Sequence, residues 1–314
     1  MTSLDVRPAT GAAPAGGASP APRPRARPLL PYMLLAPALL VITLVLGVPL
    51  VRVVVLSLQH WGIAQIFSDT GPSFVGLDNY ERTFSDGVFW RALGRTVVVT
   101  AAMVVASMLV GLGIALLMER VPGWVRRGLT FVLVLAWAVP TFVSTQVFAW
   151  MTEQNFGVVN WLFGLGQHNW YVDSTQGLAV ATAIVVWGAV PFLAITTHAA
   201  LTQVPDELID AARIDGASGM QILGRITLPL IRPILAIQLA LSVIWDFQAF
   251  NQIWILRNSA PEAGYQTLAI FSYIRAYQGH EYGYASSVAV VTVLLLVVVM
   301  VFYLRQLLKM GDVD

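Results

Sequence analysis

The chain has 314 residues, 57% of them hydrophobic and only 11% charged, with a mean hydropathy of +0.72 and a formal net charge of +1. Soluble domains carry about a quarter of their residues charged, so this composition excludes an ordinary soluble enzyme and indicates an integral membrane protein. Cysteine is absent, which excludes a disulfide scaffold and a thiolate metal site, and His60, His168, His198 and His280 lack metal-ligand spacing.

Residues 1–28, rich in Ala, Pro, Gly and Arg, bury almost nothing and read as a disordered cytoplasmic tail. The apolar run behind them is too long for the h-region of a signal peptide. Six stretches then meet the length a bilayer demands, roughly 20 apolar residues. They are 29–51, 96–118, 128–152, 178–201, 233–256 and 282–304, and Asp246 is the one charge inside the fifth. Backbone groups in lipid must be satisfied internally, so each is expected to be helical, with Pro37, Pro49, Pro140 and Pro191 marking kinks or breaks. Residues 29–308 are expected to form one six-span domain and 309–314 a short cytoplasmic tail.

Orientation follows from the 18 basic residues. With the N-terminus inside, Arg7, Arg23, Arg25, Arg27, Arg120, Arg126, Arg127, Arg213, Arg225, Arg232, Arg305 and Lys309 lie on the cytoplasmic side. Only Arg82, Arg91, Arg95, Arg257 and Arg275 lie outside, with Arg52 at the end of the first span, as the positive-inside rule requires of a chain with both termini cytoplasmic. Trp61, Trp90, Trp124, Trp150, Trp170 and Trp254 cluster near the span ends, where an aromatic belt sits.

Several chemistries are missing. The sole lysine, Lys309, follows Leu308, so no Gly-Lys-Ser/Thr phosphate loop exists and the chain does not hydrolyse ATP through one. "GASGM" at Gly216–Met220 lacks the final glycine of a nucleophile elbow. Ser107, Gly111 and Ala115, four residues apart, read as a small-residue face for helix packing rather than part of a dinucleotide site.

The informative segment is "IDAARIDGASGMQILGRITLP", Ile209–Pro229, between the fourth and fifth spans on the cytoplasmic side. Pro205 pre-sets the first turn of a helix over 206–214, and Asp206 and Glu207 complement its dipole. Gly216 supplies a left-handed stop, and Ser218 caps a second short helix running to Gly224. Ala211, Ala212 and Ala217 let another surface approach closely. On these residues alone the pair is either a knob for a partner or a helix lying on the membrane.

This stretch resembles the EAA loop of ABC importer permeases: Asp210-Ala211-Ala212, then Asp215-Gly216-Ala217, then Ile226-Thr227-Leu228-Pro229. Asp210 stands where the family usually has glutamate, and Leu223 where phenylalanine is common. "SFVGLDNY" at 73–80, "GVVNWLFGLG" at 157–166 and "GYASS" at 283–287 resemble the carbohydrate-uptake members, of the maltose- and glycerol-phosphate-permease type, first permease of the pair. The resemblance implies a non-catalytic, all-α membrane subunit for an oligosaccharide or similar polyol. Its implied partners are a second permease, two cytoplasmic ATPase copies that bind the ATP and Mg, and an extracytoplasmic sugar-binding protein; no cofactor belongs to this chain and no nucleic acid is involved. Asp210, Ala211, Ala212, Asp215, Gly216, Ala217 and Leu223 would then couple to the ATPase. Arg257-Asn258-Ser259-Ala260-Pro261 departs from the family's Thr-Gly-Gly-Gly-Pro.

Within the fifth span Ser242, Trp245, Asp246 and Ala249 share one helical face. An intramembrane carboxylate is costly and usually faces water, so Ser242, Trp245 and Asp246, with Phe192 beyond Pro191, are candidate substrate contacts. The alternative is that Asp246 bonds a neighbouring helix and Trp245 merely packs. An ion-coupled secondary transporter using Asp246 is the rival function; it would show an inverted repeat of broken helices, and none is visible in the sequence.

Overall fold

The computed structural model describes residues 30–68 and 71–311, so the expected 1–28 tail lies outside the described residues. The chain divides into two units, residues 1–49 and 50–314. The first contains helix α1 (Leu30–Ile42) and a π turn, Thr43–Gly47; the division falls within α2 (Val48–Ser57). The apolar segment Tyr32–Ser57 is long enough to span, and none of its most apolar window is buried within the chain. Pro49 offers no N–H to the carbonyl four residues before it, and the wide turn just upstream accommodates that loss.

The second unit continues with a small hairpin, β1 (Gln59–His60) paired antiparallel to β2 (Ser73–Phe74), enclosing α3 (Ile63–Phe67). Helix α4 (Asp78–Ser85) leads into α5 (Gly87–Arg120), which starts nine residues before the expected span because the Asp86 side chain caps it by accepting from the Val88 N–H. After α6 (Gly123–Trp137), α7 (Thr141–Met151) and the short α8 (Val158–Phe163) comes α9 (Ser174–Leu201). Then follow α10 (Asp206–Ile214), α11 (Gly219–Ile222), a π turn at Leu223–Thr227 and α12 (Leu228–Phe247). Helices α13 (Asn251–Leu256), α14 (Leu268–Tyr273) and α15 (Tyr282–Gly311) complete the chain; α15 absorbs residues 309–311 of the expected tail.

Among the described residues five helices are long and apolar enough to cross a membrane, and α6 with α7 makes a sixth if the pair is one span. That pair contains the break expected at Pro140 within 128–152, and it is sharp: α6 and α7 meet at 98°. Pro140 lacks the N–H that would continue the ladder, and its ring excludes the helical carbonyl before it. The fifth span differs from expectation. It begins in the loop, running helically over Gly219–Phe247, and ends at Phe247, where an interruption at 248–250 separates it from α13. The second short helix expected over 218–224 is therefore the first turn of the fifth span, joined through a π turn that again precedes a proline, Pro229.

Helices α5 and α9 form the central seam. Ser107, Gly111 and Ala115 are buried in it, as their spacing predicts, and a Cβ added at Gly111 would meet Leu193 Cβ at 2.7 Å. Around the seam, Val99 and Met103 of α5 join Ile184 of α9, Ile253 of α13 and Ile270 of α14 in one core cluster. Hydrogen bonds fix the other helices to it. Thr197 Oγ1 donates to Gln238 Oε1 at 3.0 Å, and Gln238 Nε2 donates to Leu193 O and Thr196 Oγ1, tying α12 to α9. Thr96 Oγ1 accepts from the Leu268 N–H at 2.8 Å, satisfying the first turn of α14.

Gly111→Ala should lower stability by about 1–3 kcal/mol, because α9 must shift to admit the methyl group. Gly113 is exposed on the same helix, with nothing within 4 Å of an added Cβ. Gly113→Ala should be neutral or stabilise by up to about 1 kcal/mol. Thermal unfolding of both variants in one detergent checks the contrast; equal melting would mean the seam is not tight.

Candidate functional site

The bend between α6 and α7 and the interruption after α12 lie beside a single cavity of about 230 Å³. Ser242, Trp245 and Asp246 reach it from α12, and Phe192 from α9, so all four expected substrate-pathway residues are brought together. Ala249 is not among its lining residues, because the helical face ends with the helix at Phe247. Phe192 and Trp245 meet edge to face with ring centroids 5.9 Å apart. Trp245 keeps 58% of its surface exposed within this chain.

Polar stripe residues on α12 differ in what they do. Gln238, Ser242 and Asp246 are all buried and lie four residues apart on one face. Gln238 has its amide satisfied by α9. Asp246 Oδ2 is buried with no hydrogen-bond partner, and the Ser242 hydroxyl also makes none among the described residues. A buried polar atom left unpaired is expensive, so the satisfied Gln238 ties α12 to α9 while the Asp246 carboxylate beside the cavity is left to find its partner outside the chain.

Sequence reasoning missed part of the lining. Trp137, Thr141 and Ser144 come to the cavity through the α6–α7 bend, Trp187 from α9, and Gln252 from α13. Pro140 signalled the bend but not its 98° size, and no residue pattern marked the interruption that turns Gln252 inward. The result is four aromatic walls (Trp137, Trp187, Phe192, Trp245) around the polar side chains of Ser242, Asp246 and Gln252, of which Asp246 Oδ2 is buried without a partner. Aromatic faces with a few convergent donors and acceptors suit a ring that is apolar on its faces and polar at its rim.

The 206–229 loop is built as its residues predict at the first turn and stop. Gly216 has φ +79, the Ala217 N–H bonds Ala212 O at 2.9 Å and the Gly216 N–H bonds Arg213 O at 3.0 Å, closing α10 with a Schellman motif. Ser218 and Gln221 exchange capping-box hydrogen bonds at the start of α11. Asp210, Ala211, Asp215 and Gly216 are exposed, while Ala212, Ala217 and Leu223 are half-buried. Asp210 Oδ1 accepts from Arg213 Nη1 at 2.9 Å within α10, an exposed pair that holds the carboxylate in place at little energetic gain. Ile214 and Met220, which the sequence reading passed over, are 87% and 78% exposed at the loop's tip, an apolar surface without a partner within the chain.

In the segment that departs from the Gly-rich pattern, Asn258 and Ser259 take left-handed φ of 50° and 62° in place of glycines. The Arg257 guanidinium braces that turn, with its Nε 2.9 Å from Glu262 Oε2 and its carbon 4.7 Å from the Tyr265 ring centroid. The same hydrogen bonding holds the Glu262 carboxyl below the usual carboxylate range. Among the described residues no cluster of His, Cys, Asp or Glu is arranged to hold a metal.

Comparison with known proteins gives the family and the fold. The chain is 39% identical over 294 residues to the diacetylchitobiose uptake system permease protein DasB of Streptomyces coelicolor, covering 92% of this chain and 89% of that protein. It is 30% identical to the trehalose/maltose transport system permease protein MalF of Thermococcus litoralis, covering 87% and 92%. A subunit of a bacterial ABC transporter that imports the acidic polysaccharide alginate superposes with a TM-score of 0.75 at 20% identity, covering 89% of this chain and 95% of that one, and shares the fold. Residues 107–309, which include the seam, the loop and the cavity-lining α12, match the family described as the binding-protein-dependent transport system inner membrane component. The chain belongs to that family and is the permease component of an ABC importer.

Proposed function

We propose that this permease carries a glycoside of one or a few rings through the Asp246 cavity, driven by ATP that a partner hydrolyses. The observation that carries the reading is the buried, unpaired Asp246 carboxylate oxygen, with Ser242 and Gln252 beside it, inside a ring of aromatic side chains. The relatives named above for diacetylchitobiose and for trehalose/maltose, and a sulfoquinovosyl glycerol permease of Agrobacterium fabrum that is 30% identical over 280 residues, support a sugar substrate. The chain itself holds no nucleotide. It works beside a second permease, two copies of a cytoplasmic ATPase and an extracytoplasmic binding protein, with both of its own termini in the cytoplasm.

In this mechanism the ATPase receives Ile214, Met220 and the charged side of α10, and the Schellman turn at Gly216 fixes the angle between α10 and α11. ATPase closure moves the loop, and α12 transmits the motion to the cavity. The chain performs no bond chemistry; its contribution is to shape a wet, aromatic-walled path that opens to one side at a time.

Uptake into vesicles is expected to require ATP and to persist when the proton gradient is dissipated. Uptake that continues without ATP and stops with the gradient would favour an ion-coupled transporter built on Asp246.

Asp246→Asn and Trp245→Ala should each reduce sugar transport while the complex still assembles. Loss of one stacking face costs about 1 kcal/mol, near five-fold in affinity, and loss of the carboxylate's bonds to sugar hydroxyls about 1–3 kcal/mol. Normal transport by both variants would return this face of α12 to a packing role.

Gly216→Val should uncouple the machine without emptying the cavity, since a β-branched side chain at φ +79 strains the turn by roughly 1–2 kcal/mol or more although the space around it is open. The expected result is reduced ATPase copurification and transport with sugar protection of the permease unchanged. Normal ATPase binding and transport would leave the loop as a connection on the membrane surface.

A further inference from the structure

At the end of the bundle that carries the 206–229 loop, a second cavity of about 460 Å³ opens between α5, α12 and α15, and it belongs neither to the loop nor to the Asp246 cavity. Its body is apolar, walled by Leu239 and Val243 of α12 and by Val299 and Phe302 of α15. Its polar groups gather at one end: Arg232 from the first turns of α12, and Tyr303 and Gln306 from the last turns of α15. None of the three makes a hydrogen bond or ion pair among the described residues, and the Tyr303 hydroxyl is fully buried without a partner. This is an amphipathic groove with a cation and two neutral hydrogen-bonding groups at its mouth.

We propose that this groove binds one anionic phospholipid of the surrounding leaflet, its phosphate held by Arg232, Tyr303 and Gln306 and one acyl chain lying along Leu239, Val243 and Val299. Three features select this occupant. The helical rise places Arg232 and Val243 about 16 Å apart along α12, close to the thickness of one leaflet's hydrocarbon, about 15 Å. Basic pockets between helices at the positive side of a membrane attract anionic headgroups. Finally, a phosphate oxygen supplies the acceptor that the Tyr303 hydroxyl and the Arg232 guanidinium lack, whereas an apolar helix from a neighbouring subunit would leave both unpaired. In the topology proposed above, the leaflet is the cytoplasmic one. Because α12 also carries Asp246 and continues from the loop, a lipid seated here touches the moving helix.

The inference does not depend on the sugar reading, and lipid retention tests it apart from transport. The full chain, purified with its associated subunits, is exchanged into detergent containing equimolar phosphatidylglycerol and phosphatidylcholine and examined by native mass spectrometry. Wild type should retain the anionic lipid about five-fold over the zwitterionic one. Arg232→Gln should abolish the preference and Arg232→Lys should keep it; Tyr303→Phe, which removes only a hydroxyl, should weaken it a few-fold. Since the chain has no cysteine, a photo-cross-linker placed on Leu239→Cys reports directly on what occupies the groove, and it should label lipid. Equal retention of the two lipids by wild type, an unchanged preference in a correctly assembled Arg232→Gln complex, or cross-linking of Leu239→Cys chiefly to another subunit would overturn the proposal.

Discussion

Between two helices surrounded by lipid, burying one more leucine gains almost nothing, so contact has to come from fit and from hydrogen bonds. That constraint makes the α5–α9 seam the foundation of the molecule. Gly111 lets Leu193 approach to a distance no other residue would permit, with Ser107 and Ala115 widening the same groove by a turn on either side. Once α9 is fixed, Trp187 and Phe192 are placed; Gln238 then anchors α12 to α9, and Ser242 and Asp246 follow one and two turns further along the same stripe. The cavity is thus positioned by a glycine that never touches it.

A second constraint acts on the backbone. Irregular chain at membrane depth survives only where protein or water satisfies its polar groups. The two departures from straight helix, at 138–140 and 248–250, flank residues of the same cavity. The bend turns Trp137 and Ser144 to one wall and the interruption turns Gln252 to another, so the breaks that look like defects in the bundle are what give the cavity its mixed lining. Continuous helices would have offered stripes of side chains without convergence.

Much of this was legible from residues alone, for identifiable reasons. Apolar length marks spans because the bilayer sets a minimum, and Asp246 stood out because a charge in hydrocarbon is rare. The Pro-Asp-Glu start, Gly216 and Ser218 marked the loop because capping chemistry is local. What escaped has non-local causes. Pro140 announces a bend, but its 98° angle depends on what the flanking helices pack against. Helix α12 reaches back into the loop because a π turn bridges Pro229, and π turns leave no sequence signature. Gln252 joins the site only through an interruption that no residue type compels. The exposed Ile214 and Met220 were readable in principle, as apolar residues at the end of an otherwise charged helix and beside a capping box.

The helical run Gly219–Phe247 has a mechanical consequence. Met220 and Asp246 are 26 residues apart on it, about 39 Å at the α-helical rise. A rod of that length pivoting near its loop end converts angle into travel: a tilt of about 5° carries the carboxylate sideways by about 3 Å, the length of a hydrogen bond. So small a rotation is enough to exchange one set of polar neighbours for another around a carboxylate that has none among the described residues, and it needs no refolding of the helix. If Asp246 holds the sugar as proposed, grip and release become two ends of one lever's stroke.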